Sequence, residues 1–370
     1  MDESDGNREI NDDMKNMLYV CGINWRWIFQ RPQILALQLQ EQYNVTVMYP
    51  KKIIKFWKDQ KESPNPKCSK PILQFPLQNK VKFLKLLSQI GYYRAFRKVF
   101  EYDIVWFGYP TYFKYLPQDY SGKVIYDCMD WHSTMIQDKQ QQAEIVNLEK
   151  QLCDRADIII VSSNKLKEHI TELLDEKSKP NKVFLVRNGI SNPKCYGVEK
   201  AKIRQKNKLC YVGTIEKWLD FRILEKSVSE IDNIEYHLLG PCMTDIPSSK
   251  KICYDGVVEH NHLYKAIEKF DCLIMPFKLN DTIEAVDPVK LYEYISWGKC
   301  IISIYYTEIE RFKEYVYFYR DESEYVELIQ KLIKKGFPPK YNERQQQEFI
   351  KSNTWKNRSD EIQAILNNTL

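Results

Sequence analysis

Glycine is scarce in this sequence: 12 of 370 residues, about 3% where roughly 7% is usual. A chain with so few keeps them where the backbone needs left-handed geometry or a close approach. Long hydrophobic runs are missing too. No stretch of 18 apolar residues occurs, so no transmembrane helix is expected. Residues 1–16 are acidic and polar without an apolar segment, so no secretory signal is expected. The 10 cysteines form no C-x-x-C pair and do not cluster with the 5 histidines, so no zinc site is expected. Cys21, Cys210, Cys272 and Cys300 lie in apolar, strand-like runs, as buried reduced thiols of a cytoplasmic protein do. The net charge of +5 is too mild for a dedicated nucleic-acid binder. Absent as well are G-x-x-x-x-G-K-[ST] and G-x-G-x-x-G, which argues against a P-loop NTPase and an ordinary dinucleotide dehydrogenase. The lack of H-E-x-x-H and G-x-S-x-G argues against a zinc protease and an α/β-hydrolase. With no D-x-D pair to hold a metal against a diphosphate, an anionic ligand must be met by backbone amides, helix dipoles and cationic side chains.

What is present is alternation. Met17 to Gly22 reads as a buried parallel strand ending in glycine, and a helix starts near Arg31-Pro32. Strands follow at Val45–Tyr49, Asp103–Phe107, Val124–Tyr126, Ile158–Val161 and Val183–Val186, with helices at Ala143–Arg155 and Lys165–Leu174. The pattern pauses at Asn188 to Asn207, where turn residues and charges replace apolar ones. It restarts at Leu209-Cys-Tyr-Val-Gly213, which echoes Leu18-Tyr-Val-Cys-Gly22. Helices at Phe221–Ile231, Leu263–Phe270 and Val289–Trp297 then alternate with strands at Tyr236–Leu239, Cys272–Met275 and Cys300–Ile304. Glu322 to Leu370 reads as two or three helices. The expected organisation is an acidic disordered tail (1–16), an N-terminal Rossmann-like domain (17–190), a linker (191–207), a second Rossmann-like domain (208–340) and C-terminal helices crossing back to the first (341–370). Each domain would be a doubly wound α/β sheet, with the site in a central cleft outside the carboxyl ends of the strands.

The most informative segment is Ala285-Val-Asp-Pro-Val-Lys-Leu-Tyr-Glu-Tyr-Ile-Ser-Trp-Gly298. Asp287 reads as a helix N-cap, Pro288 as the first helical residue and Gly298 as the stop. Lys290 falls in the first turn, beside the N–H groups that attract phosphate, and Glu293 is three residues on along the same face. That spacing suits a cation for a diphosphate and a carboxylate for a ribose diol; an ordinary surface Lys–Glu pair has the same spacing. Asp287-Pro-Val-Lys-Leu-Tyr-Glu-Tyr followed by Gly298-Lys-Cys-Ile-Ile-Ser303 resembles the donor-binding signature of bacterial glycosyltransferases of the GT-B fold. Tyr211-Val-Gly-Thr-Ile-Glu-Lys-Trp218 resembles the opening of their C-terminal domain. Trp25 with Gln30-Arg-Pro-Gln33, and Tyr126-Asp-Cys-Met-Asp-Trp-His132, resemble their N-terminal domain.

The resemblance runs from about Leu18 to Trp355 and implies two facing Rossmann-like domains and a nucleotide-sugar donor, UDP- ahead of GDP-. It implies substrate contacts at Asp287, Lys290, Leu291 and Glu293. Gly213 and Thr214 would reach the diphosphate, Gly240 would lie near base and ribose, and Val257 near the nucleobase, with His260 or His262 starting the next helix. One departure counts against a retaining mechanism of the two-glutamate type. Counting back from Glu293, the place of the first glutamate is held by Ala285, with Glu284 one position earlier. Inverting transfer needs a group that takes the acceptor's proton. Asp130 is assigned to it by position and by the resemblance, with His132 as the other candidate; a helix cap or a basic partner is the alternative for Asp127 and Asp130. Arg31 either pairs with a carboxylate or lines the acceptor site, and Gly22 admits acceptor or donor phosphates.

Charge is unevenly spread. Residues 1–13 hold 6 acidic residues and 1 basic, whereas residues 51–100 hold 13 basic and 2 acidic. Val81 to Phe100 looks helical, with apolar and aromatic residues beside Lys80, Lys82, Lys85, Arg94, Arg97 and Lys98. Such a helix either packs on the core with a solvated basic face or rests on the anionic inner leaflet. The functional expectation is a metal- and cofactor-independent glycosyltransferase acting on a glycan or lipid-linked acceptor in bacterial cell-surface glycan assembly, cytoplasmic or peripheral on the inner face of the plasma membrane. A sugar-nucleotide 2-epimerase of the same fold would act without acceptor. A non-catalytic scaffold of polysaccharide assembly would bind no nucleotide.

Overall fold

The computed structural model describes residues 14–53, 64–76, 78, 81–174, 181–259 and 262–369. The chain divides into two compact units, Met1–Arg187 with Arg358–Leu370, and Asn188–Asn357.

The first unit contains β1 (Asn16–Val20), α1 (Arg31–Leu39), β2 (Asn44–Lys52), β3 (Cys68–Gln74), α2 (Lys82–Phe96), β4 (Ile104–Phe107), β5 (Lys123–Cys128), α3 (Lys139–Arg155), β6 (Ile158–Val161), α4 (Asn164–Leu173) and β7 (Val183–Leu185). The sheet is parallel in the order β3-β2-β1-β4-β5-β6-β7. Its central strands are apolar throughout because helices cover both faces; β4 and β6 are buried at every residue. The run Gln30-Arg-Pro-Gln33 makes a capping box, the Gln30 N–H donating to Gln33 Oε1 at 3.2 Å with proline in the first turn of α1. Strand order reverses between β1 and β4, so the loops after Val20 and Phe107 open side by side at the switch point.

The second unit contains β8 (Asn207–Val212), α5 (Phe221–Glu230), β9 (Ile234–Leu239), β10 (Ile252–Gly256), α6 (Leu263–Ile267), β11 (Cys272–Met275), α7 (Asp281–Glu284), α8 (Val289–Ser296), β12 (Cys300–Ile304), β13 (Tyr317–Tyr319), α9 (Glu322–Lys335), α10 (Glu343–Ser352) and the start of α11 (Trp355–Thr369). Its parallel sheet runs β10-β9-β8-β11-β12-β13, reversing between β8 and β11. Both units are therefore doubly wound α/β sheets of the expected class.

Three expectations change. The stretch 191–207 is no free linker but part of the second unit. Glu199 N–H donates to Gly298 O at 2.9 Å and Lys202 N–H to Gly336 O at 2.9 Å, and Lys299 pairs with Glu199 at 2.5 Å. Its outward charges and lack of a regular ladder hide this strap from pattern reading. Within 341–370, α10 stays in the second unit, with Phe349 and Ile350 in its core, and only Arg358–Leu370 belongs to the first. The strands β3 and β13 fall outside the alternation because edge strands need not be apolar; β3 even carries Pro71. Of the acidic tail, residues 1–13 lie outside the described residues, while Asn16 opens β1. All ten cysteines are free. Among the described residues no helix is long and apolar enough to cross a membrane.

Candidate functional site

In the first unit, β5 delivers the segment Asp127 to His132. Asp127 is fully buried and bound by Arg31 at the start of α1. Arg31 Nη2 donates to Asp127 Oδ1 at 2.8 Å, and Nε to Oδ1 and Oδ2 at 3.1 and 3.2 Å. Arg31 Nη1 donates to the carbonyls of Val186 and Arg187 at 3.0 and 3.2 Å. Arg31 is thus a buried bidentate clamp between α1, β5 and the end of β7, the carboxylate pairing of the two alternatives the sequence offered. Asp127 is this arginine's partner, not a cap.

Three residues on, Asp130 is partly exposed, and its carboxylate has no hydrogen bond or ion pair to any described residue. Loss of solvent pushes its carboxyl up to about 7, against the pull of Arg31 and with the repulsion of Asp127. A carboxyl poised there changes protonation near neutral pH, the condition for efficient proton transfer. His132 is buried, its ring 4.3 Å from the ring of Tyr109. Burial pushes it down to about 4, against the pull of Glu149, so it is neutral at pH 7. Its Nε2 is buried without a hydrogen-bond partner among the described residues. Asp130 thus presents a carboxyl that changes charge near neutral pH two residues before a neutral, buried His132. The space above Gly22 is filled: a Cβ there would stand 2.8 Å from Tyr109 Cβ. Gly22 thus makes room for this tyrosine.

In the second unit, two glycines end adjacent strands with φ of +142° (Gly213) and +136° (Gly240), a region that favours glycine. A Cβ on Gly240 would lie 2.1 Å from Gly213 O, and one on Gly213 would lie 2.2 Å from Lys290 Cε. So Lys290, on α8, lies along the bare backbone that ends β8. Its ammonium is 5.7 Å from the Tyr211 ring centroid and 5.9 Å from that of Phe277, and no described carboxylate pairs with it. The surface pair with Glu293 that the spacing also allowed does not form. Thr214 is pinned next to Gly213 by Tyr211 Oη, which donates to its carbonyl at 3.0 Å. The cation, carried on the first turn of α8, thus lies against the first of two adjacent glycine turns at the switch point, an arrangement suited to a diphosphate.

Asp287 does something else. Pro288 is the N-cap of α8, and the buried Asp287 carboxylate accepts from Asn188 N–H at 2.7 Å, from Tyr292 Oη at 2.9 Å and from Arg311 Nη2. It fastens the chain entering the unit to α8, and its expected capping and substrate roles are corrected. Leu291 is core, and its N–H donates to Pro288 O at 3.1 Å, so it is no ligand contact either. Glu293 is partly exposed, Glu284 is exposed and Ala285 is buried. Val257, just beyond β10, is 66% exposed. His262 lies 3.7 Å from Glu259; His260 lies outside the described residues.

The basic segment forms α2. Tyr92 and Phe96 anchor it, their rings 5.2 Å from Tyr115 and 6.1 Å from Phe107. Phe83, Leu86, Ile90 and Tyr93, spaced as one helix face, are 65%, 53%, 36% and 54% exposed. Lys85, Arg94, Arg97 and Lys98 are exposed beside them. Lys80 and the side chain of Lys82 lie outside the described residues. Sequence reading passed over Tyr109, Tyr211, Phe277 and Glu149. Only Glu149 carried a signal, as a carboxylate on the apolar stripe of α3 with Ile145, Leu148 and Leu152.

No protein-family model matches the chain. TuaH of Bacillus subtilis (strain 168), which carries the name of a teichuronic acid biosynthesis glycosyltransferase, is 25% identical over 246 residues, 61% of this chain and 61% of that protein's length. Among solved structures, sucrose-phosphate synthase from Thermosynechococcus elongatus superposes with a TM-score of 0.71 at 13% identity, covering 96% of this chain and 99% of that one. HepE of Anabaena in complex with UDP gives 0.67 at 11% identity over 95% and 100% of the two chains. The lipopolysaccharide outer core galactosyltransferase WaaB gives 0.65 at 13% over 96% and 100%. The chain thus resembles GT-B glycosyltransferases and has their fold of two Rossmann-like domains.

Proposed function

We propose that this chain transfers a glycosyl group from a nucleotide-sugar, UDP-linked in preference to GDP-linked, to a lipid-linked or polysaccharide acceptor in bacterial cell-surface glycan assembly. The observation that carries the reading is Lys290, an ammonium without a carboxylate partner, laid against Gly213 at the N-terminus of α8. HepE, of the same fold, is solved with UDP and with UDP-glucose, and TuaH is named for the same chemistry. In the reaction, Asp130 takes the proton of the acceptor hydroxyl as its oxygen bonds to the anomeric carbon. The bond from that carbon to the diphosphate breaks, and the electron pair leaves with the diphosphate. Lys290 and the amide dipoles of α8 stabilise the charge that develops there, the electrostatic task a metal performs elsewhere. No metal or cofactor enters this scheme. The exposed face of α2 rests on an anionic leaflet and keeps the chain where a lipid-linked acceptor is found; lysines and arginines near such a surface contribute about 1 kcal/mol each.

The test incubates radiolabelled UDP-sugars with the protein and bacterial membranes, with and without EDTA. Label entering glycan or lipid regardless of EDTA supports the reading. A changed sugar nucleotide without transfer makes the chain an epimerase. Flotation with anionic vesicles tests the membrane contact, which fails if binding persists after Lys80, Lys82, Lys85, Arg94, Arg97 and Lys98 become Gln.

A further inference from the structure

Behind the segment that carries Asp130 and His132 lies a buried charge that the reaction scheme leaves unused. Glu149 of α3 has no exposed surface, yet its carboxylate makes three contacts. Tyr126 Oη donates to Oε1 at 2.5 Å, Cys128 Sγ lies 3.9 Å from the same oxygen, and His169 Nε2 of α4 lies 3.0 Å from Oε2. Two of those partners belong to β5, directly before Asp130. The third extends forward: the ring of Trp131, between Asp130 and His132, lies 4.4 Å from the ring of His169. Burial alone would raise the Glu149 carboxyl, but hydrogen bonds from His169 and Tyr126 bring it below the ordinary range, so it is ionised. Burying a carboxylate is a poor way to gain stability, since well-packed apolar residues of the same volume do as well or better. Its value lies in orientation: it admits one arrangement of β5, α4 and the loop resting on them.

We propose that Glu149 and His169 are positioning residues that aim the Asp130–Trp131–His132 loop. His169, held by the carboxylate, is the surface on which Trp131 rests, and Trp131 fixes its two neighbours. The proposal rests on the reading of that loop as the acceptor side of a sugar transferase. Neither residue touches the reacting atoms.

Glu149→Gln keeps the shape and removes the charge; His169→Gln keeps a hydrogen bond to the carboxylate and removes the ring under Trp131. In the full chain, each lowers kcat for sugar transfer roughly ten- to a hundredfold, the scale of a small misplacement. KM for the nucleotide-sugar and the affinity for UDP stay unchanged. His169→Phe, which keeps a ring for Trp131 but drops the hydrogen bond, separates the two contributions. Histidine ring resonances supply a readout independent of turnover: those of His132 move in both Gln variants while the melting temperature changes little. Wild-type kcat with unmoved His132 resonances in folded Glu149→Gln overturns the proposal. If the wild type binds UDP but transfers no sugar to any acceptor, the functional reading fails by itself. The resonances then decide alone, moved signals supporting the positioning role and unmoved ones refuting it. If Glu149→Gln does not fold, His169→Gln decides by the same two readouts.

Discussion

Replacing Asp130 by Asn should inactivate the protein and stabilise it. An ordinary aspartate titrates near 3.8, whereas Asp130 is pushed up to about 7 by burial. Folding therefore strengthens its hold on the proton, and the ionised form is strained. Each tenfold change in a proton equilibrium is worth about 1.4 kcal/mol, so ionisation at pH 8 costs the fold at most ~4 kcal/mol. Water at the exposed edge of the residue trims that to about 1–3 kcal/mol. The sign follows from the raised value: the stabilisation conferred by the protonated group is complete below about pH 4 and is lost as pH rises through about 7. Asparagine imitates the protonated acid, so the variant should match the wild type at pH 4 and exceed it at pH 8. For a unit of about 200 residues, 1 kcal/mol moves the melting point by roughly 2–4 °C, which puts the expected gain at several degrees. The assay is melting of the first unit across pH 4–8, followed by amide exchange on β5, alongside turnover. Wild-type turnover should rise with pH through about 7, and the variant should bind UDP normally while transferring no sugar. Equal melting points at pH 4 and pH 8, or near-normal turnover, would refute the reasoning.

Other consequences follow from the same geometry. Arg31→Leu strands the buried Asp127 and should cost about 3–5 kcal/mol in unfolding free energy; adding Asp127→Leu should restore much of it, as a double-mutant cycle in urea would show. Gly240→Ala drives a Cβ toward the Gly213 carbonyl, 2.1 Å away, at a φ of +136°. It should cost at least about 2 kcal/mol and weaken UDP binding by displacing the loop under Lys290; unchanged denaturation and affinity would contradict this close packing. Asp287→Asn should lower the melting temperature through Arg311 and Tyr292 with little effect on donor KM in the protein that remains folded.

The fold was legible because parallel strands buried on both faces are continuous apolar runs, with a glycine directly after β8 and two residues after β1. The edge strands β3 and β13 were not, since an edge need not be apolar. The strap over 191–207 was hidden because its order comes from backbone bonds to Gly298 and Gly336, which leave no periodicity. The place of Lys290 in a helix's first turn was readable from Pro288 before it and Gly298 after it. Asp287 was misread because a buried aspartate gripped by Asn188, Tyr292 and Arg311 looks in sequence like a cap before proline. Arg31 was ambiguous for a related reason: its partner Asp127 is 96 residues away, and only folding decides between a ligand and a clamp. Glu149 shows the opposite case, where a charge on an apolar helix stripe was a visible sign of a buried network.

The most direct test of the central claim is a calorimetric titration of UDP into the wild type and into Lys290→Ala. UDP should bind the wild type saturably, and the variant about ten- to a hundredfold more weakly, the 1.5–3 kcal/mol typical of a hydrogen bond to a charged group. Failure of both UDP and GDP to bind, or equal affinity in the two proteins, would contradict the assignment of this strand-end site to a nucleotide-sugar.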